Sequence, residues 1–167
     1  MRRHVVLAAA FGAAWLAGVK ITPPPLRDLP DPPLPIDDKV SCCESHDTNY
    51  MAWTRQHPGL TIGPQDIISD KGDEIYSFMR LQGIRNLLIM GVHTNMCILN
   101  RSFAIKRMTR MGVRCVLVRD LTDAAYDPAQ RPFVSHEQGT ELVVQHIEKY
   151  WCPSMLSKDL VARLSPK

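Results

Sequence analysis

Residues 86–118 read NLLIMGVHTNMCILNRSFAIKRMTRMGVRCVLV. The run Asn86–Val92, NLLIMGV, is continuously apolar and bounded by turn-forming residues, the pattern of a strand buried on both faces. Over residues 95–111 the apolar side chains Met96, Leu99, Phe103 and Met108 recur at helical spacing, and Gly112 closes the helix. Residues 113–118, VRCVLV, form the next strand. Strand, helix and strand within about thirty residues make the βαβ unit, whose crossover is right-handed and whose sheet is parallel.

Upstream of this unit, Ser69 or Asp70 can cap a helix that runs to about Gln82, with Ile75, Phe78 and Met79 on one side and Gly83 as its stop. On the other flank, Ser135 opens a last helix with Gln138 as its capping-box partner. That helix carries Leu142, Val143, Ile147 and Tyr150 toward the core and ends before Pro153. Residues 23–38, PPPLRDLPDPPLPIDD, hold seven of the thirteen prolines. Neither a regular helix nor a central strand forms there, which leaves a linker or an extended arm along the surface. Residues 41–51 show neither period and read as loop.

At the start, Arg2, Arg3 and His4 precede an apolar run over residues 5–19, which fits an export leader or a buried apolar helix and is short for a membrane span. The compartment stays open between cytoplasm and export. The expected organisation is an apolar segment over 1–22, the proline arm and loop over 23–52, one α/β domain over 53–160 and a tail over 161–167. A length of 167 residues with 45% hydrophobic and 22% charged content suits one packed core. The 20 basic and 17 acidic residues are spread along the chain for a net charge of +3, without a basic stripe, so no nucleic-acid partner is expected. Cys42, Cys43, Cys97, Cys115 and Cys152 are odd in number and irregular in spacing, unlike a disulfide framework.

Ligands of an open parallel sheet bind beyond the carboxyl ends of its strands, and residues 91–97 form such a loop. With Thr94 as N-cap, Cys97 falls at the third helical position, where unpaired N–H groups and the helix dipole favour a thiolate. The same N–H groups point where an oxyanion would form if that thiolate attacked a carbonyl. Spacing alone also fits a small buried residue at a helix start, since free cysteine is commonly buried.

His93 could activate the thiol or serve through its backbone alone. Among Asp66, Asp70, Asp120 and Asp123, the strand-end rule favours Asp120, while Asp70 reads as a helix cap and Asp123 as turn chemistry. Thr94, Asn95, Arg55 and His57 are candidate pocket residues, with a subunit contact or a solvated turn as alternatives for the last two. Cys42, Cys43 and His46 are too few and too adjacent for zinc, so no metal is expected. Arg101, Lys106, Arg107 and Arg110 form a basic helix face of the kind that is usually solvated. The loop after NLLIMGV lacks the second and third glycines of the phosphate-binding fingerprint, which disfavours a dinucleotide site.

The segment GVHTNMCIL, 91–99, resembles the glycine-x-x-threonine-x-x-cysteine signature of isochorismatase-like cysteine hydrolases, the group of nicotinamidases and N-carbamoylsarcosine amidases. WTRQHPGL, ISDKGDEIY, NRSFAIKRM, VLVRDLTDAAYDP and PFVSHEQGTELVVQHIEKYWCP are similar to one subgroup, so the resemblance spans roughly residues 37–159. It implies a Rossmann-like three-layer α/β/α sandwich with a parallel sheet. The implied chemistry is hydrolysis of a C–N bond in a small molecule by a cysteine, aspartate and lysine triad through a thioester, with no organic cofactor implied. Cys97 matches the nucleophile, the backbone N–H groups of His93 and Cys97 the oxyanion hole, and Val92–His93 the peptide bond that is commonly cis in these enzymes. A homo-oligomer is also implied.

The family's aspartate lies in an aspartate-x-glutamine motif after an N-terminal strand, and no such motif precedes the proline arm. A gap-free count places the family lysine on Pro64, with Lys71 seven positions further on. The resemblance thus implies either a sandwich without its N-terminal third, whose sheet would leave an edge and an apolar face uncovered, or one in which residues 1–19 are a substitute element that partly fills the gap. The alternative is a catalytically inactive family member that acts only as a binding module.

Overall fold

A computed structural model describes residues 6–7, 21–37, 58–64 and 66–164. Arg55, His57, Cys42, Cys43, His46 and most of the apolar run 5–19 lie outside the described residues. Strand β1 (Val6–Leu7) pairs in parallel with β2 (Ile67–Ile68), and a three-stranded parallel sheet has the order β3 (Asn86–Val92), β4 (Arg114–Asp123), β5 (Ser154–Met155). Helix α1 (Gly72–Leu81) precedes β3; α2 (Cys97–Asn100) and α3 (Ile105–Arg110) link β3 to β4; α4 (His136–Tyr150) and α5 (Ser157–Leu164) flank β5. The chain is therefore α/β, with the expected parallel β3–β4 pair.

β4 runs further than residues 113–118 because the ladder slips. Ile89 pairs with Leu117 but Gly91 with Thr122, so β4 spends extra residues between the two pairs. Such irregularities bend a strand and re-aim the residues beyond the slip. Here Leu117 and Val118 remain free to pair with Ser154 and Met155 of β5, while Thr122 and Asp123 are returned to the end of β3.

β3 is not buried on both faces. Its exposure alternates, and Leu88, Met90 and Val92 stand 37%, 44% and 59% exposed. Among the described residues β4 is its sole sheet neighbour, so the continuous apolar run that suits a doubly covered strand here covers only one side.

The helix expected over residues 95–111 is two short ones. Asn100 turns its amide onto the Asn95 carbonyl at 2.9 Å, and Ser102 is drawn away to α1. Local side-chain bonds of this kind compete with the helical ladder. The Ser102 hydroxyl accepts the Gly72 N–H at 3.0 Å and donates to the Asp70 carbonyl at 3.1 Å. Gly72 makes this approach possible, since a Cβ there would sit 1.9 Å from the Ser102 carbonyl oxygen. Neither Ser69 nor Asp70 is the N-cap of α1. That position is Lys71, and the Ser69 hydroxyl instead accepts the Lys71 N–H and donates to Glu74.

Ile75 and Met79 from α1, Leu99 from α2, Ile105 and Met108 from α3, Leu117 from β4 and Val143, Val144 and Ile147 from α4 are the most deeply buried part of one cluster. Each such side chain contributes roughly 1.5–3 kcal/mol of burial. The Ser135–Gln138 capping box opens α4 as expected. Arg119 on β4 reaches Glu141 and Glu148 to hold that helix on the sheet.

The proline arm is an extended strap. The Ile21 N–H reaches Ser77 on α1, the Arg27 N–H donates to the Arg110 carbonyl, Ile36 enters the core and the Asp37 N–H donates to Arg131. Lys106 and Arg110, part of the basic face read as solvated, pair with Asp31 of the strap and lie over the Trp151 ring. Arg107 pairs with Asp73.

Candidate active site at the Cys97 loop

The chain leaves β3 through Gly91 at φ 116, a conformation that side-chain-bearing residues rarely adopt, and the Val92–His93 peptide bond is cis. The loop is then fastened to the carboxyl end of β4. The Thr94 N–H donates to the Asp123 carbonyl at 2.8 Å. Thr122 gives its hydroxyl proton to the Gly91 carbonyl at 2.7 Å, so in its 2.7 Å contact with Thr94 it is the acceptor. The Asn95 amide grips Ala125 twice, donating to its carbonyl at 3.1 Å and accepting its N–H at 2.9 Å.

Thr94 and Asn95 are consequently 0% and 1% exposed. Both are expected from the sequence as pocket lining, and their polar side-chain atoms face β4 and the segment after it. The cap also changes. Met96 is the N-cap of α2, without a side-chain cap bond, and Cys97 is the first helical residue instead of the third. The Thr94 hydroxyl is turned toward Thr122 on β4 and makes no cap bond to the helix, and α2 is four residues long. One turn aligns few peptide dipoles, so the dipole expected of a long helix is largely lost.

Cys97 is partly exposed, whereas Cys115 and Cys152 are buried. Burial pushes the Cys115 thiol up to about 11, and burial together with the neighbouring Cys115 pushes Cys152 up to about 12. These two are inert at neutral pH. The His93 carbonyl accepts the Met96 and Ile98 N–H groups, while the N–H groups of His93 and Cys97 make no backbone hydrogen bond among the described residues.

Asp120 is not at the loop. It lies within β4, its carboxylate accepting the Ser157 N–H at 2.8 Å and the Ser157 hydroxyl at 2.6 Å, and thus caps α5. Those bonds hold its carboxyl below the ordinary range. The ladder slip hands the strand-end position to Asp123. Asp123 accepts from His136 Nε2 at 2.8 Å and from the Thr140 hydroxyl at 2.9 Å, and His136 Nδ1 lies 2.9 Å from the Tyr126 carbonyl. Burial pushes the Asp123 carboxyl up, but the bonds from His136 and Thr140 outweigh it and hold it low. The Tyr126 carbonyl and then Asp123 raise the His136 ring above its ordinary 6.5.

His136 was hidden in the sequence, where it is merely the residue after an N-cap. Its pairing with a carboxylate thirteen positions earlier needs the chain to turn back after β4. Lys71 is directed elsewhere, 3.4 Å from Glu74, and lines a groove between the strap and α1 with Asp73, Ser102 and Arg107. No residue of the Cys97 loop lines that groove. Comparison with protein-family models, with curated proteins and with solved structures yields no match to the chain.

Proposed function

We propose that the chain is a cysteine-dependent hydrolase of an amide-type C–N bond in a small molecule, built on a Rossmann-like sandwich of the isochorismatase type. One observation carries the proposal: Cys97 is the described cysteine that is not buried, and it stands on a loop bonded at several points to the carboxyl end of the adjacent parallel strand. Cys97 Sγ attacks the carbonyl carbon, the N–H groups of His93 and Cys97 receive the oxyanion, and the C–N bond breaks as the amine leaves with a proton. Water then cleaves the thioester, releasing the acid and restoring the thiol.

A binding module without turnover is the second reading. It is favoured by the carboxylate at the loop's support, Asp123, being engaged by His136 and Thr140 instead of free to act as a base.

The two readings separate in one experiment. The protein is incubated with a panel of primary amides and N-carbamoyl amines, amine or ammonia release is followed, and acid-quenched samples are searched by mass spectrometry for an acyl adduct on the Cys97 peptide. The hydrolase reading expects release, an adduct on Cys97 alone, and loss of both in Cys97→Ser. Equal traces for the native chain and Cys97→Ser, without an adduct, overturn it.

A further inference from the structure

Two elements meet behind the Cys97 loop. The first is the segment 123–126, which receives the loop through the Asp123 carbonyl and through both polar groups of the Ala125 backbone. The second is the first turn of α4, whose His136 ring spans that segment from end to end, with Nε2 at the Asp123 carboxylate and Nδ1 at the Tyr126 carbonyl. A backbone carbonyl and a carboxylate are both acceptors. The ring therefore satisfies the two contacts together only with a proton on each nitrogen, as an imidazolium.

Thr140, one turn further along α4, closes the arrangement by donating to Asp123 and accepting the Ala124 N–H at 3.1 Å. The charged groups that face the ring are Asp123 from β4 and Glu137 from its own helix.

We infer that His136 is a positioning residue for Cys97: in its doubly protonated form it braces residues 123–126, and through Thr94 and Asn95 these set the loop that carries the thiol. Loss of either proton gives up one end of the brace. The segment can then shift against the loop without unfolding, because the Asn95 grip and the strand ladder do not depend on the histidine. The bond that Nδ1–H donates to the Tyr126 carbonyl, followed by the Asp123 carboxylate, keeps the ring charged above its ordinary range. The loss thus falls on the alkaline side of 6.5. The inference rests on Cys97 being the functional group of the loop, but not on any substrate.

Its test uses the native chain first. The His136 ring and the backbone amides of Thr94, Asn95 and Cys97 are followed by NMR from pH 5 to 9, and Cys97 alkylation by iodoacetamide is measured peptide by peptide over the same range. The three loop amides are expected to move with the midpoint of the His136 ring, above 6.5. The Cys97 rate is expected to depart from a single titration curve at that midpoint, by up to about fivefold, the range open to a partly exposed ion pair.

In His136→Gln the departure and the loop inflection at the His136 midpoint vanish. Asp123→Asn, which keeps the backbone bond to Thr94, brings the remaining histidine midpoint down toward its ordinary value and the loop titration with it. Loop amides that ignore the His136 midpoint in the native chain, or an inflection at that same midpoint that survives in His136→Gln, overturn the inference. No measurement involves turnover, so a chain that hydrolyses nothing can still pass and an active hydrolase can still fail.

Discussion

Asn95→Ala isolates the fastening of the Cys97 loop. The native amide makes two bonds to one residue, 3.1 Å to the Ala125 carbonyl and 2.9 Å from the Ala125 N–H, with Asn95 1% and Ala125 9% exposed. Truncation leaves both Ala125 groups without a partner in a place that water reaches poorly. Each orphaned buried group costs about 1–3 kcal/mol, so the pair costs about 2–6 kcal/mol, with partial hydration favouring the lower half. The Asn100 bond to the Asn95 carbonyl survives, because it uses the backbone.

Against a typical domain stability of about 5–15 kcal/mol this is a large loss. Urea unfolding followed by far-UV circular dichroism reads it directly. With a slope of about 1–3 kcal/mol per molar urea, a loss of 3 kcal/mol moves the midpoint down by roughly 1–3 M. Asn95→Asp sharpens the comparison. Its carboxylate keeps the acceptor but faces the Ala125 carbonyl without a donor, so it is at least as unstable as the alanine near neutrality. It recovers as the pH falls and the carboxyl regains a proton to donate. A change within 0.5 kcal/mol for Asn95→Ala, the size of a surface substitution, would show that the loop is not held by this residue.

Met90→Thr on the open face of β3 should stay within about 0.5 kcal/mol, while Leu117→Ala on β4 should cost about 2–5 kcal/mol, and equal losses in urea titrations would contradict the one-sided burial of β3. Gly72→Ala must part α1 from the Ser102 carbonyl, because its Cβ would stand 1.9 Å from that oxygen. An overpacking cost of about 1–3 kcal/mol should exceed the gain of at most about 1 kcal/mol in helix propensity. Thermal melting decides, and a higher Tm would refute the contact.

The Asp123–His136 pair contributes about 0.2–1 kcal/mol, given its partial exposure. Since the folded histidine is raised, its share is fully present below the ordinary 6.5 and is lost as pH rises through the higher folded value. Since the folded aspartate is lowered, its share is present above the ordinary 3.8 and is lost as pH falls through the lower folded value. Stability differences between the native chain and His136→Gln should therefore be greatest between about pH 4 and 6.5 and shrink on either side. A difference in denaturant midpoint that stays flat from about pH 2 to about pH 9, without shrinking at either end, argues against the pair.

Periodic and capping signals were legible in the chain itself. The bounds of β3, the capping box at Ser135 and the loop that carries Cys97 derive from apolar spacing and from residues whose side chains bond their own neighbours, which are local properties. Sequence periodicity could not resolve the places where long-range partners intervene. Met96, Leu99, Phe103 and Met108 are spaced for one helix, yet Ser102 is claimed by α1 some thirty residues upstream and the helix divides. Thr94 has the composition of a cap, but its hydroxyl turns to Thr122 across the ladder and the helix starts only after Met96.

The same holds at the end of β4. Counting along the strand favours Asp120, and the slip between Ile89 and Gly91 moves Asp123 into its place and sends Asp120 to α5. His136 meets that carboxylate only after the chain has doubled back. The order of residues along the chain set which segments can be strand, helix and loop, and that a cysteine stands where a parallel strand gives way to a helix. Which polar side chains remain available around that cysteine was settled by the folded chain, because a buried hydrogen-bonding group must find a partner, and that partner is chosen by proximity in space.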